Sequence, residues 1–305
     1  MKARNRCWVF SIAALSMFCF SSSAGAADKY EIHLDRRMAV GQVYQIVAFY
    51  QMAESDVDQT GHHTDTGDGI RIEATEEVTG VSRIGCETRA KLTVRQFIRV
   101  KNGQLTTLAH SGDVLNVERF SNDKMHVDGG QGVDDDVTRV LVALLHLGTP
   151  QATAADDATF GTADPKYPGE MWPVDRRLAA RMLGGDPSVT ANDVQGTSKF
   201  ATLGYVRGTE FLTINVVVNI DKYPVPSGMP ANMNETRGER TYTQSETVPD
   251  GPYGPATNFT SSFVSTYLFE GRADNGATVR VQGSVNTATS CQRTLMQSVK
   301  TGSGQ

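Results

Sequence analysis

The 305-residue sequence predicts a mainly β protein of α+β type: a curved antiparallel sheet, half-barrel or open and barrel-like, with one apolar helix and a short second helix. Three observations predict it. Runs of β-branched and aromatic residues with period two recur along most of the chain. Asn102-Gly103 and Asn275-Gly276 supply the positive φ values of tight hairpin turns. Only Val137–Leu147 has the length and apolar content of a buried helix.

Taken in order, residues 1–26 read as an export signal. Lys2, Arg4 and Arg6 make a positive start, Cys7–Phe20 is apolar, and Ala24-Gly25-Ala26 fits the small-residue cleavage rule. The apolar stretch, about 14 residues, is shorter than the roughly 20 a spanning helix needs. Phe18 before Cys19 does not suit lipoprotein processing. The bacterial style of the signal points to a periplasmic or extracellular destination, and no later segment is apolar enough for a transmembrane helix. Cleavage lowers Lys+Arg from 29 to 26 against 34 Asp+Glu, so the formal charge moves from -5 to -8. Such an acidic chain, without a basic run, has no electrostatic footprint for nucleic acid or an anionic membrane. Cys86 and Cys291 remain, and two cysteines in an oxidising compartment are expected to pair. That bridge would close about 205 residues and contribute roughly 4–5 kcal/mol in the chain-entropy account.

The mature chain divides into a β-rich half at 27–150 and another at 151–305, packed as one unit. Tyr30–Leu34 alternates, and Gly41–Met52 is rich in β-branched and aromatic residues. Glu54–Gly69 is polar and reads as a long exposed loop. Strands follow at Ile70–Val78, Ser82–Cys86, Ala90–Val100, Gln104–His110, Val114–Phe120 and Lys124–Val127. Asp134-Asp135-Asp136 opens the helix Val137–Leu147, its carboxylates facing free backbone N–H groups, and Gly148 and Pro150 end it. Thr149–Pro168 reads as loop and Asp175–Leu183 as a short helix stopped by Gly184-Gly185. Strands resume at Gly196–Val206, Glu210–Ile220, Glu239–Val248, Asn258–Arg272, Ala277–Val285 and Ser290–Val299. Asp221–Thr236 and Pro249–Ala256, rich in Pro and Gly, read as loops. The halves are alike in order. Gly41-Gln42-Val43-Tyr44 matches Gly169-Glu170-Met171-Trp172, and Thr79-Gly80-Val81-Ser82 matches Gln195-Gly196-Thr197-Ser198, which suggests a degenerate duplication.

Candidates for chemistry are sparse. Asp56-x-Asp58-x-Thr60-Gly61 copies the first half of a calcium loop, and Asp65 adds an oxygen, but Gly67 stands where the bidentate Glu belongs. Asp56, Asp58, Thr60 and Asp65 are thus an incomplete set for calcium, and no other cofactor is expected. His62-His63 point apart on an extended chain, and His33, His110, His126 and His146 are scattered. There is no Gly-x-Ser-x-Gly elbow, phosphate loop or dinucleotide fingerprint. Tyr44, Phe49, Phe97, Phe211, Phe263 and Tyr267 lie on predicted strands and could line an apolar cavity closed by the helix. Filling the core is the alternative use for them.

The signal, the Gly-x-x-Tyr opening, Asp157-x-x-Phe160-Gly161 and Gly169-x-x-Trp172-Pro173-Val174 resemble those of uncharacterised, β-rich secreted bacterial proteins of the domain-of-unknown-function kind. That resemblance carries no catalytic residues. In architecture alone, the predicted fold also resembles periplasmic lipoprotein carriers, whose curved sheet wraps helices around an apolar cavity. Three functions follow in order: a non-catalytic periplasmic or secreted binding or envelope-associated protein, holding an apolar small molecule or meeting an envelope protein; a structural interaction module without ligand; and a hydrolase lacking a recognisable motif. Oligomeric state is not legible.

Overall fold

A computed structural model describes residues 28–58, 60–120, 125–129, 133–148, 155–184, 187–206, 208–222, 234–272, 276 and 278–297. The export signal lies outside these residues. The first half contains β1 (Tyr30–Ile32), β2 (Val43–Val57), β3 (His63–Val81), β4 (Glu87–Lys101), β5 (Gln104–Ala109), β6 (Val114–Arg119) and β7 (Met125–Asp128). It ends in the helix α1 (Asp135–Leu145). Next come α2 (Ala155–Phe160), β8 (Thr162–Lys166), β9 (Met171–Pro173) and α3 (Arg176–Leu183). The remaining strands are β10 (Val194–Val206), β11 (Thr209–Ile220), β12 (Asn234–Pro249), β13 (Asn258–Arg272) and β14 (Thr278–Gln297).

Twelve strands form one open antiparallel sheet in the order β7-β6-β4-β3-β2-β14-β13-β12-β11-β10-β9, with β5 also on β4; β1 and β8 pair separately. The sheet is a meander whose two ends, β2 and β14, meet in its middle. Its edges are β7 and β9, and the chain between those edges carries α1, α2 and β8.

Local chemistry accounts for the turns and caps. Asn102 and Gly103 have φ values of 49° and 81° between β4 and β5, as their sequence demands. Asp134 accepts the Val137 N–H at 2.8 Å and caps α1, while Asp175 accepts the N–H groups of Arg177 and Leu178 and caps α3. Four expectations are corrected. Glu54–Gly69 is not a loop: β2 and β3 run on as a paired hairpin and turn only around Asp58–His62. Polar residues on both faces follow from a hairpin that overhangs the core on both sides. Ser82–Cys86 is a turn, closed by the Ser82 N–H to Cys86 carbonyl bond, with Gly85 at φ 94°. Thr149–Pro168 contains α2 and β8, and β14 runs unbroken through residues 286–289 because β13 and β2 pair with it on either side.

Two apolar cores occupy one face of the sheet. The first packs Val137, Leu141 and Leu144 of α1 on Ile46, Ile72, Leu92 and Phe97. The second packs Phe160, Ala179 and Ala180 of α2 and α3 on Phe200, Ile214 and Val216. Cys86 and Cys291 are free thiols, which overturns the expected bridge. Cys291 sits on β14 and Cys86 in the turn before β4, so β2 and β3 intervene. That is about 14 Å of sheet, whereas a disulfide needs Cα atoms within about 7 Å.

Candidate functional site

Strand register shows what the covered face presents. One row runs Phe200, Ile214, Glu246, Phe259, Cys291, Ala48, Ile72, Phe97 and Ala109 across neighbouring strands. All are buried, and Glu246 alone is charged. The next row runs Ser198, Val216, Gln244, Ser261, Thr289, Tyr50, Ile70 and Arg99, and is polar in its middle. The two cores are therefore separated by a polar band on β12, β13 and β14.

A cavity of about 600 Å³ opens over that band. Its sheet side carries Tyr242, Gln244, Glu246, Ser261, Thr289 and Arg293. Opposite them stand Leu34 to Arg36, the end of α1 with Leu145, His146 and Leu147, Asp156 and Phe160 of α2, and Met182 and Leu183 of α3. Glu87, the first residue of β4, closes one side. Much of the wall is thus apolar, and its polar groups are concentrated on the band and at the helix ends.

The cations of the wall are committed to the protein. Arg36 donates to five carbonyl oxygens, of His33, Pro249, Gly251, Tyr253 and Gly254, at 2.6–3.0 Å. This uses the whole donor set of a guanidinium and fastens the 249–254 loop to the segment before β2. Arg293 donates twice to Glu76, at 2.7 and 3.1 Å, and once to the Leu145 carbonyl at the end of α1, at 2.7 Å. Arg119 donates to the Leu147 carbonyl at 2.5 Å.

The carboxylates are less well matched. Burial pushes Asp35 up to about 7, helped by the charge of Asp156, and Asp156 itself up to about 6, helped by Asp157. Glu246 is raised to about 8 by burial and by Asp156. Burial and the neighbouring Glu76 raise Glu87 well above the usual carboxylate range. His146, which is exposed to the cavity, goes the other way, to about 3, because the protein packed around its ring and the charge of Arg293 both disfavour its charged form. It also holds the left-handed conformation at φ 53°, and its ring stands edge-on to Phe259 with centroids 3.8 Å apart.

The residues that the sequence offered for a site lie elsewhere. Phe97 is fully buried and Tyr44 nearly so in the first core, and Tyr267 is buried with Phe269 in a small third cluster. Phe211 and Phe263 are half-buried, and Phe49 is exposed, its ring under the Arg71 guanidinium. None of the six lines the cavity, whose aromatics are Phe160, Tyr242 and Phe259. In the calcium motif, Asp56 accepts a hydrogen bond from the Tyr267 hydroxyl, while Asp58 accepts from the N–H and hydroxyl of Thr60 and the N–H of His62. Asp65 stands opposite Ser55 in the hairpin. Among the described residues no group of three or more His, Cys, Asp or Glu is placed to hold a metal ion.

Sequence reading missed Asp35, Glu87, Asp156 and Glu246. One signal pointed to Glu246. Strand β12 carries Arg240, Tyr242, Gln244 and Glu246 on its inward face, so a strand in the sheet interior has no continuous apolar side.

No family model matches the chain, and no curated protein matches it. Among solved structures, one described as "Asymmetric conductivity of engineered proteins" is 8% identical, with 82% of this chain and 100% of that chain covered and a TM-score of 0.16. A mutant of the Rh. blastica porin is 7% identical at the same coverage and TM-score. At that TM-score neither likeness bears on fold or function.

Proposed function

We propose that the chain is a non-catalytic binding protein of the bacterial periplasm or exterior, and that its ligand occupies the cavity between the two cores. The observation that carries this reading is the cavity itself. Its volume of about 600 Å³ falls among small-molecule sites, and it combines an apolar wall with a few convergent polar groups. A structural module would have no use for such a space. The apolar ligand foreseen from the strand aromatics becomes, in this reading, one held by Phe160, Leu147 and Met182 on the helix side.

Native mass spectrometry of the secreted protein, prepared without detergent, tests the reading. A bound small molecule is expected, and it should be lost from an Ala143→Trp variant, whose new side chain extends from a cavity-lining position on α1. Circular dichroism would confirm that the variant keeps its sheet. A bare mass in both proteins, unchanged after incubation with lipid extract, overturns it.

A further inference from the structure

We infer that the ligand is an amphiphilic organic cation, an apolar body carrying an ammonium head that pairs with Glu87. This rests on the binding reading above and adds the charge class. Glu87 is only 4% accessible, lines the cavity, and leaves its Oε1 without a hydrogen-bond partner. A buried acceptor in that state is costly unless something fills the space beside it. The guanidinium groups at the same wall do not answer it, because Arg36 is spent on five carbonyls and Arg293 on Glu76 and Leu145.

The alternatives fit less well. An anionic head would require Glu87, Asp156 and Glu246 all to stay protonated, would find Arg36 and Arg293 already bonded within the protein, and would pay for its own desolvation as well. A neutral hydroxyl could donate to Oε1 but would leave the acidic character of the wall unanswered. An ammonium supplies both the missing donors and the compensating charge.

Proton balance gives the inference a signature. In the empty site burial pushes Glu87 toward its protonated form, with Glu76 adding to the effect and Arg293 opposing it, and Glu246 is held up to about 8 by burial and Asp156 against Arg36. When the ammonium arrives, the carboxylic acid gives its proton to the buffer, and the carboxylate left behind pairs with the cation.

The test is calorimetric titration of the mature full chain at pH 7.5 with dodecylammonium, dodecanol and dodecanoate, each below its micelle concentration, in two buffers of different ionisation enthalpy. Dodecylammonium is expected to bind at least about tenfold more tightly than the other two, with release of about one proton. Glu87→Gln should remove both the preference and the proton release. Equal or tighter binding of dodecanol or dodecanoate overturns the cation inference and leaves the binding reading standing. If none of the three binds, both fall. Should Glu87→Gln not fold, the proton count on the unaltered protein decides, and tight dodecylammonium binding with no proton released overturns the pairing with Glu87.

Discussion

Gly41 and Tyr44 make at the start of β2 the same backbone corner that Gly169 and Trp172 make at the start of β9. Gly41, at φ 86°, donates to Val78, whose N–H returns to Gln42; Gly169, at φ 94°, donates to Phe200, whose N–H returns to Glu170. In each corner the aromatic residue is buried and stands opposite a buried polar residue, Glu76 for Tyr44 and Ser198 for Trp172. This shared pattern supports the duplication suggested by the Gly-x-x-aromatic match. The x-Gly-x-Ser match does not, since Gly80 lies beyond Val78 on β3 while Gly196 lies before Phe200 on β10.

The corners differ in what flanks them. β9 is an edge of the sheet, and Trp172 on it turns its indole N–H inward to the Phe160 carbonyl at 2.7 Å. β2 lies in the middle, beside β14, and Arg293 reaches from β14 over Ile46 of β2 to Glu76 on β3. One corner therefore closes an edge, and the other fastens the two ends of the meander. Of the two corners, only the one where the halves meet holds a buried ion pair.

The largest expected effect follows from this difference. Glu76→Gln leaves Arg293 buried without its counter-charge and should destabilise the protein by about 3–5 kcal/mol. Ser198→Ala removes a buried hydroxyl that has no partner, so it should change stability by about 0.5 kcal/mol or less. Urea denaturation of both variants checks the contrast. Equal losses would show that the two corners carry the same load.

Next in size is the response to pH, which separates the acidic band from the apolar cores on either side. Asp35, Asp156 and Glu246 have folded values of about 7, 6 and 8, above their ordinary values of 3.8, 3.8 and 4.5. The folded state therefore holds protons that the unfolded chain releases. Their contribution is full below about pH 4 and is lost as pH rises through 6 to 8. His146, at about 3 when folded, opposes them below about pH 6.5, with one group against several. The empty protein should lose roughly 3 kcal/mol between pH 6 and pH 8, measured by urea denaturation, and Glu246→Gln should flatten the slope. A stability that rises across this range would show that the band is ionised when empty.

A smaller loss is expected at the other end of the β2–β14 junction. There the Tyr267 hydroxyl on β13 reaches across Gly283 of β14 to Asp56 on β2. A Cβ on Gly283 would lie 2.2 Å from the Asp56 carboxylate and 2.5 Å from the Tyr267 hydroxyl. Gly283→Ala should cost about 1–3 kcal/mol by forcing the pair apart, whereas Gly204→Ala, with only a backbone oxygen at 4.0 Å, meets nothing comparable. Thermal denaturation of the two variants measures the difference.

What was legible in the sequence is what one segment determines by itself. The Asn102-Gly103 turn needs only its own φ values, and α1 and α3 need only their aspartate caps and apolar faces. β13 matches its predicted limits because turn signals bound it on both sides. The site was not legible, because it exists only through register. Glu246 faces the cavity by standing in one row with Phe259 and Ile214, and Glu87 and Asp156 reach the same space from β4 and α2. The strand aromatics were misplaced for the same reason: an aromatic residue on a strand fits a core as well as a cavity, and only the opposing layer decides which. The hairpin of β2 and β3 was lost because its polar tip carries no hydrophobic alternation, although each strand has a partner.

The smallest effect expected lies at the helix ends, where the usual roles of glycine are exchanged. α3 is followed by Gly184 at φ -62°, a conformation any residue adopts, and glycine serves there because a Cβ would lie 2.2 Å from the Ala180 carbonyl oxygen and 3.0 Å from Val189. α1 is followed by His146 at φ 53°, where glycine would be unstrained. A left-handed histidine in a cavity wall, kept neutral and set edge-on to Phe259, is retained against backbone preference. His146→Gly should therefore gain stability, by about 0.5–1 kcal/mol at pH 7, and by more at pH 5, where the unfolded chain no longer profits from protonating the imidazole. The same variant should bind the cavity ligand more weakly, since it removes a wall side chain and frees the chain after α1. Urea denaturation at the two pH values, beside a binding titration, separates the two effects. A variant that loses stability while binding unchanged would place His146 among the packing residues and free the site of it.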